Sequence, residues 1–267
     1  GGRESSRTIH FVTVRKAGDC SPVFPAAMEL NMKKGISVSF LTILFLLGIS
    51  VMLYPALSRL WNRHVQSRAI ADYTHSCENL SGQDSHALFR AAENYNASLN
   101  QLPNPLLDFR KIDGYNDLLN PEGNGVMGYL SIDKIAVVLP VYHGTAQSVL
   151  QIAAGHLQGS SLPTGGRSTH CVISAHSGMP GARLFTDLAL LEVGDTFSLT
   201  VLDRVLTYRV DEIHTVEPQN REFLGIHSDA DLCTLMTCTP YGINSHRLLV
   251  RGSRTEETEG AALWGEG

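Results

Sequence analysis

Three residues of this chain have side chains that could together open and remake an amide bond: Cys238, Arg247 and His176. Cys238 ends the run LCTLMTC at 232–238, and Arg247 stands second in HRLLV at 246–250. Both runs are rich enough in apolar and β-branched residues to read as strands. Between them TPYGINS, at 239–245, supplies the Pro, Gly and Asn that break a strand and let it reverse. The hairpin brings thiol and guanidinium to the same end of neighbouring strands, where side-chain alternation can aim both at one cleft. A free thiol is only a few per cent thiolate at neutral pH; a nearby cation raises that share and can later hold a developing oxyanion. Such a nucleophile also needs a proton carrier. The apolar run at 170–175 ends at His176 and is followed by SGMPG at 177–181, a loop, so an imidazole stands at a strand end as well.

The bulk properties narrow the field. At 267 residues the chain holds one sizeable core plus accessory pieces, and a net charge of -5 argues against a nucleic-acid partner. Five cysteines, at 20, 77, 171, 233 and 238, are scattered without CxxC or His-rich spacing. Neither a zinc site nor a disulfide framework is indicated, and no metal or other cofactor is expected. Cys171 and Cys233 read as small buried strand residues, whereas Cys238 ends its strand beside a turn.

These residues must be held by the rest of the chain. Residues 1–35 have no clear period and read as a disordered extension on the cytoplasmic side; Met28 or Met32, followed by Lys33 and Lys34, would itself make an ordinary membrane-targeting start. Residues 36–57 are uncharged and long enough to cross a bilayer, within the usual range of about 17 to 25 residues. The two lysines before them favour an inside N-terminus, and the following Tyr54 to Trp61 lacks a clean small-x-small cleavage site, so the reading is an uncleaved single-pass anchor with the remainder outside the cell, against a cleaved signal peptide as the competing reading. Residues 58–102 carry helical stripes, Trp61, Val65, Ala69 and Tyr73 on the first, with Ser81 as an N-cap before the second. Their aromatic residues are expected to pack against the core. Residues 103–125 form a loop rich in Pro, Asn, Asp and Gly. From 126 to 252 short apolar runs alternate with turns, as in a mainly β sandwich or barrel; helical insertions are expected at 148–154 and 182–191, and a flexible tail at 253–267.

The segments TLMTCTPYGINSHRLLVRG (234–252), GHLQGSSLPTGGRSTHCVISAHSG (155–178) and NGVMGYLSIDKIAVVLPVYHGT (124–145) resemble the sortases of Gram-positive bacteria, most of all the class C, pilus-building branch. The resemblance implies an eight-stranded β-barrel preceded by a helical pair, with His176, Cys238 and Arg247 as the catalytic set. It implies that Cys238 attacks the Thr carbonyl of an LPXTG-like sorting signal, that His176 serves the departing and incoming amines, and that Arg247 holds substrate or oxyanion. The acceptor would be a pilin Lys amine, with a cell-wall precursor amine, or a non-enzymatic membrane-tethered assembly role, as alternatives. Papain-like peptidases place Cys before His, the reverse of the order here. Thr237, beside the thiol, and His143 and His156, at family-like positions, are candidates for the substrate groove, the two histidines equally for loop packing. Class C relatives cover the cleft with an Asp-Pro-aromatic lid; this chain has Asn104-Pro105-Leu106 instead, and Asp108 and Phe109 are candidates for a displaced lid pair.

Overall fold

The computed structural model describes the backbone of residues 26–255 apart from position 180, and side chains from residue 38 onward. Most of the expected N-terminal extension, 1–25, and of the C-terminal tail, 256–267, lies outside the described residues. The chain divides into two compact units, residues 1–52 and 53–267.

The first unit is helical from Ala26. Helix α1, Ala26–Glu78, starts inside the stretch expected to be an extension and runs on past residue 57 into the second unit. Pro55 removes one amide donor without ending it. Val38, Phe40, Leu44 and Leu47 are exposed along it, and it is the one helix among the described residues long and apolar enough to cross a membrane.

In the second unit the later turns of α1 are joined through a short turn to α2, Gly82–Leu99. Ser81 caps α2 as expected: its hydroxyl accepts from the Asp84 amide at 3.2 Å and donates to the Asp84 carboxylate at 2.7 Å. Such a cap contributes about 1 kcal/mol. The first stripe divides in its outcome. Tyr73 is buried, its hydroxyl donating to the Met127 carbonyl at 3.0 Å and accepting from the Leu202 amide at 2.8 Å, which ties α1 to the barrel. Trp61 is 69% exposed, contrary to the expected packing, because the helix has no neighbour along that face so early in its course. From α2, Phe89, Ala92, Tyr95 and Leu99 enter the core, and Asn96 clasps Leu162 by both its backbone groups, at 3.1 and 2.8 Å.

Eight strands follow: β1 Val126–Ile132, β2 Val137–His143, β3 Ala154–His156, β4 Thr169–Ser174, β5 Thr196–Val201, β6 Arg204–Val216, β7 Asp231–Thr239 and β8 His246–Arg254. They close into a barrel in the order β1-β2-β3-β4-β7-β8-β6-β5. Alternate residues, among them Leu130, Ile132, Leu139, Ile173, Leu199, Leu206, Leu235 and Val250, fill its interior. Full burial of each aliphatic side chain contributes roughly 1.5–3 kcal/mol. Most pairs are antiparallel, but β3 joins β2 and β7 joins β4 in parallel.

Two of the expected helices are corrected. Residues 182–191 form turns and a single 3-10 turn, Leu188–Leu190, since Leu184 takes a positive φ of 40° and the Phe185 amide is drawn to the His176 carbonyl at 3.0 Å. Their apolar residues serve instead as plugs, with Leu184, Phe185 and Leu188 buried. In 148–154 only one helical turn forms, α4 Gln147–Leu150, and Ala154 already belongs to β3. Gly155 there lies against the Gly144 carbonyl, so any Cβ would collide with backbone.

His170 locks the barrel wall at the start of β4, the end away from His176. Its Nδ1 lies 2.7 Å from the Gly225 carbonyl and its Nε2 2.8 Å from the Thr234 hydroxyl, a pattern met by a neutral ring with Nδ1 donating and Nε2 accepting. Burial is the main cause that lowers its pKa to about 4. The unfolded chain therefore binds the extra proton first, and stability falls as pH drops from about 6.5 to about 4, by roughly 3 kcal/mol. Urea denaturation of the barrel over this range is expected to show that loss, and His170→Gln to flatten it; an equal slope in the variant would assign the acid sensitivity elsewhere.

Candidate active site

The site stands where three strand ends meet. In the antiparallel register of β7 and β8, Cys238 is directly opposite Arg247, so both side chains project to the same face. The parallel pairing of β4 with β7 runs in register to Ser174 opposite Met236, and one further bond, Ala175 N–H to the Met236 carbonyl at 3.2 Å, extends it past the end of β4. The next residue is His176. Parallel pairing thus delivers imidazole and thiol to the same end of adjacent strands, and the β7–β8 hairpin delivers the guanidinium.

Strand alternation sets the face. Cys233 and Leu235 point into the barrel, so Met236 and Cys238 alternate with Leu235 and Thr237. Met236 belongs to a second, smaller apolar cluster with Val172, Leu249, Val216, Leu224, Leu157, Phe223 and Leu106. The cysteine therefore ends an apolar strip on the barrel's outer wall. His176, Cys238 and Arg247 are all half-buried, shielded yet reachable.

Competing groups are already committed. Arg251, on the same face of β8, is held by Asp211 at 3.0 and 3.2 Å and by Glu212 at 2.6 Å. Arg247 has no carboxylate within 4.0 Å among the described residues; its Nη1 donates to the His246 carbonyl at 3.0 Å and to that of Asn244 at 3.3 Å, leaving its other donors free. His214 is bonded to Glu212 at 2.8 Å and stacked on Phe223. The His176 imidazole makes no side-chain hydrogen bond among the described residues. His246 is exposed, its Nδ1 2.9 Å from the Ser245 hydroxyl. Among the thiols, Cys171 and Cys233 face each other across β4 and β7 inside the barrel, and burial holds the Cys233 thiol well above its ordinary pKa. They behave as the small core residues expected.

The remaining sequence candidates fall elsewhere. Thr237 is buried and its hydroxyl donates to the Ala175 carbonyl at 2.8 Å. It braces the backbone between His176 and Cys238, a contact that no sequence pattern signals. His156 is fully buried, with Nδ1 2.8 Å from the Tyr115 hydroxyl and Nε2 2.9 Å from the Ser161 carbonyl. His143 lies between two carbonyls, Gly125 at 3.0 Å and Leu118 at 2.8 Å, while burial lowers its pKa. Both rings staple the 115–125 loop to β2 and β3. Asp108 is paired with Lys111 at 2.7 Å, and Phe109 packs beside Gly159. The loop segment meets the wall of the site through Leu106, from the one-turn helix α3, Pro105–Asp108. Among the described residues no group of His, Cys, Asp and Glu side chains is arranged to hold a metal.

A thiol opposite a free arginine, beside an uncommitted histidine at the end of a closed eight-stranded barrel, is an arrangement chemically suited to cysteine acyl transfer. The Sortase domain family matches residues 130–255. Over 71% of this chain, the crystal structure of sortase C1 from Streptococcus agalactiae is 43% identical with a TM-score of 0.65, and 99% of that structure is covered. Sortase C of Clostridium perfringens, solved with the C-terminal cell wall sorting motif, is 38% identical over 72% of this chain and 100% of its own, with a TM-score of 0.62. A curated Sortase A of Streptococcus agalactiae is 29% identical over 117 residues, 43% of this chain and 47% of that protein. The chain spans about half the length of the curated relatives it matches. It belongs to the sortase family of cysteine transpeptidases. Its neighbours among solved structures are class C sortases.

Proposed function

We propose that this protein is a pilin-polymerising transpeptidase, anchored by α1 with its barrel outside the cell. The Cys238 thiolate attacks the Thr carbonyl of an LPXTG-like sorting signal. As the Thr–Gly bond breaks, the His176 imidazolium gives its proton to the departing Gly amine, leaving a thioester. A pilin Lys amine then attacks the thioester carbonyl, its proton passes to His176, and the Cys238 sulfur leaves as thiolate. Arg247 donates to the substrate carbonyl or to the oxyanion of either tetrahedral intermediate; its planar fork suits both tasks. No metal or cofactor enters the scheme.

The observation that carries this reading is the facing of Cys238 and Arg247 next to the end of β4, two residues before His176. The apolar strip from Leu249 and Met236 toward the thiol suits the Leu and Pro side chains of such a signal. Its resident Leu106 would have to yield as the peptide enters. The choice of pilin over wall anchoring rests on the likeness to class C structures.

The test is incubation of the full chain in detergent with a pilin bearing both the sorting signal and an acceptor Lys. A ladder of covalent multimers resistant to boiling in SDS is the expected result. Cleavage without a ladder, joined to transfer onto a cell-wall precursor amine, would replace the pilin acceptor with the wall.

A further inference from the structure

Beside the catalytic residues, on the second unit, lies a cleft of about 570 Å³ that contains none of their side chains. One wall is a stripe of α1: Arg59, Asn62, Arg63 and Gln66. Opposite are the start of β2 and the loop that follows His176, with Tyr241 at the rim. Asn62 and Gln66 fasten the helix there, donating to the Gly181 carbonyl at 2.9 Å and the Ile152 carbonyl at 2.6 Å. The helix is thus held in place by its amides, and its two arginines are left over. Neither Arg59 nor Arg63 has a carboxylate within 4.0 Å among the described residues, whereas Arg183 on the far wall is matched by Asp187 at 2.7 Å. Two like charges one turn apart on a helix repel, and here they share one concavity. An anion between them removes that repulsion and accepts two charge-assisted hydrogen bonds.

Position along the chain indicates which anion. Arg59 is the first charged residue after the uncharged run that fills the apolar part of α1. On the other face of the same turns Tyr54, Leu57, Leu60 and Trp61 are exposed, the mixture of aromatic and aliphatic side chains that settles at a bilayer interface. We propose that the Arg59–Arg63 cleft binds a phosphate group, that of an anionic membrane lipid. Choosing the lipid as source rests on the anchor reading above; the phosphate site itself rests on the cleft. Arginine in place of lysine fits bidentate recognition of phosphate oxygens. Because Tyr241 and Gly178 pack against one another at the rim, each a few residues beyond a catalytic position, an occupied cleft braces the loops that follow His176 and Cys238.

The test uses the full chain in a neutral detergent, titrated with short-chain phosphatidylglycerol, short-chain phosphatidylcholine and inorganic phosphate. Binding is followed by phosphorus NMR line broadening, which does not require the helix to span a bilayer. Phosphatidylglycerol is expected to bind at least ten-fold more tightly to the parent than to R59Q/R63Q, and more tightly than phosphatidylcholine. Sorting-peptide cleavage without lipid should match in the two proteins, which shows that the variant is folded. Inorganic phosphate binding as tightly as the lipid, with the same dependence on the arginines, would keep the phosphate site and reassign its source to a free anion. Equal binding of all three probes to parent and R59Q/R63Q would overturn the proposal while leaving the anchor and the transpeptidase reading intact.

Discussion

Cys238→Ala is expected to abolish cleavage of an LPXTG-like peptide and to remove the acyl-enzyme adduct from the intact mass spectrum, while the thermal midpoint moves by no more than a few degrees. The two effects separate because Cys238 is a half-buried strand end outside the main core, so losing its sulfur opens no internal cavity. Cys171 and Cys233 cannot substitute. Both are sealed inside the barrel, where no peptide reaches and where a thiolate would be desolvated. Residual turnover above about one part in a thousand of the parent, with a surviving adduct, would move the nucleophile to another side chain.

His176→Ala is expected to cost 10²- to 10⁴-fold in turnover, the usual span for a positioned general acid–base, or about 3 to 5 kcal/mol of barrier. Other imidazoles are poorly placed to take over: His246 alternates to the opposite face of β8 from Arg247, His214 is bound to Glu212, and His170 is enclosed between Gly225 and Thr234 at the far end of β4. Added imidazole should restore part of the rate in this variant and none in Cys238→Ala. Activity within a few-fold of the parent, insensitive to imidazole, would mean that water or the substrate itself carries the proton.

The strands around 170–175, 232–238 and 246–250 were legible in the sequence because they are apolar and β-branched runs that lead into or out of loops with Gly, Pro or Asn. β3 was hidden, being three residues long with Gly155 at its centre, so it has neither length nor alternation to display. The run 182–191 has the apolar density of a helix, and only the positive φ of Leu184 and the pull of the His176 carbonyl make it a set of plugs. The pairing of Cys238 with Arg247 could be anticipated because a hairpin is local. What could not be read was the contact of Thr237 with Ala175, which joins residues 62 apart, or the choice of Leu106 over Asp108 and Phe109 to face the site. Both depend on where distant segments come to rest.

The parallel alignment of β4 and β7 also bears on the order in which the three candidate groups come together. Parallel partners cannot be joined by a tight turn, and these two are separated by β5, β6 and their connections. Loop closure over such a separation is slow compared with zipping a hairpin, so Cys238 and Arg247 are expected to meet before His176 joins them on closure of the barrel. A chain whose barrel has not yet closed would therefore carry an incomplete set of groups. On the proposed roles, half-folded copies would have no proton donor beside the sulfur, and the transfer activity would switch on only as the barrel closes.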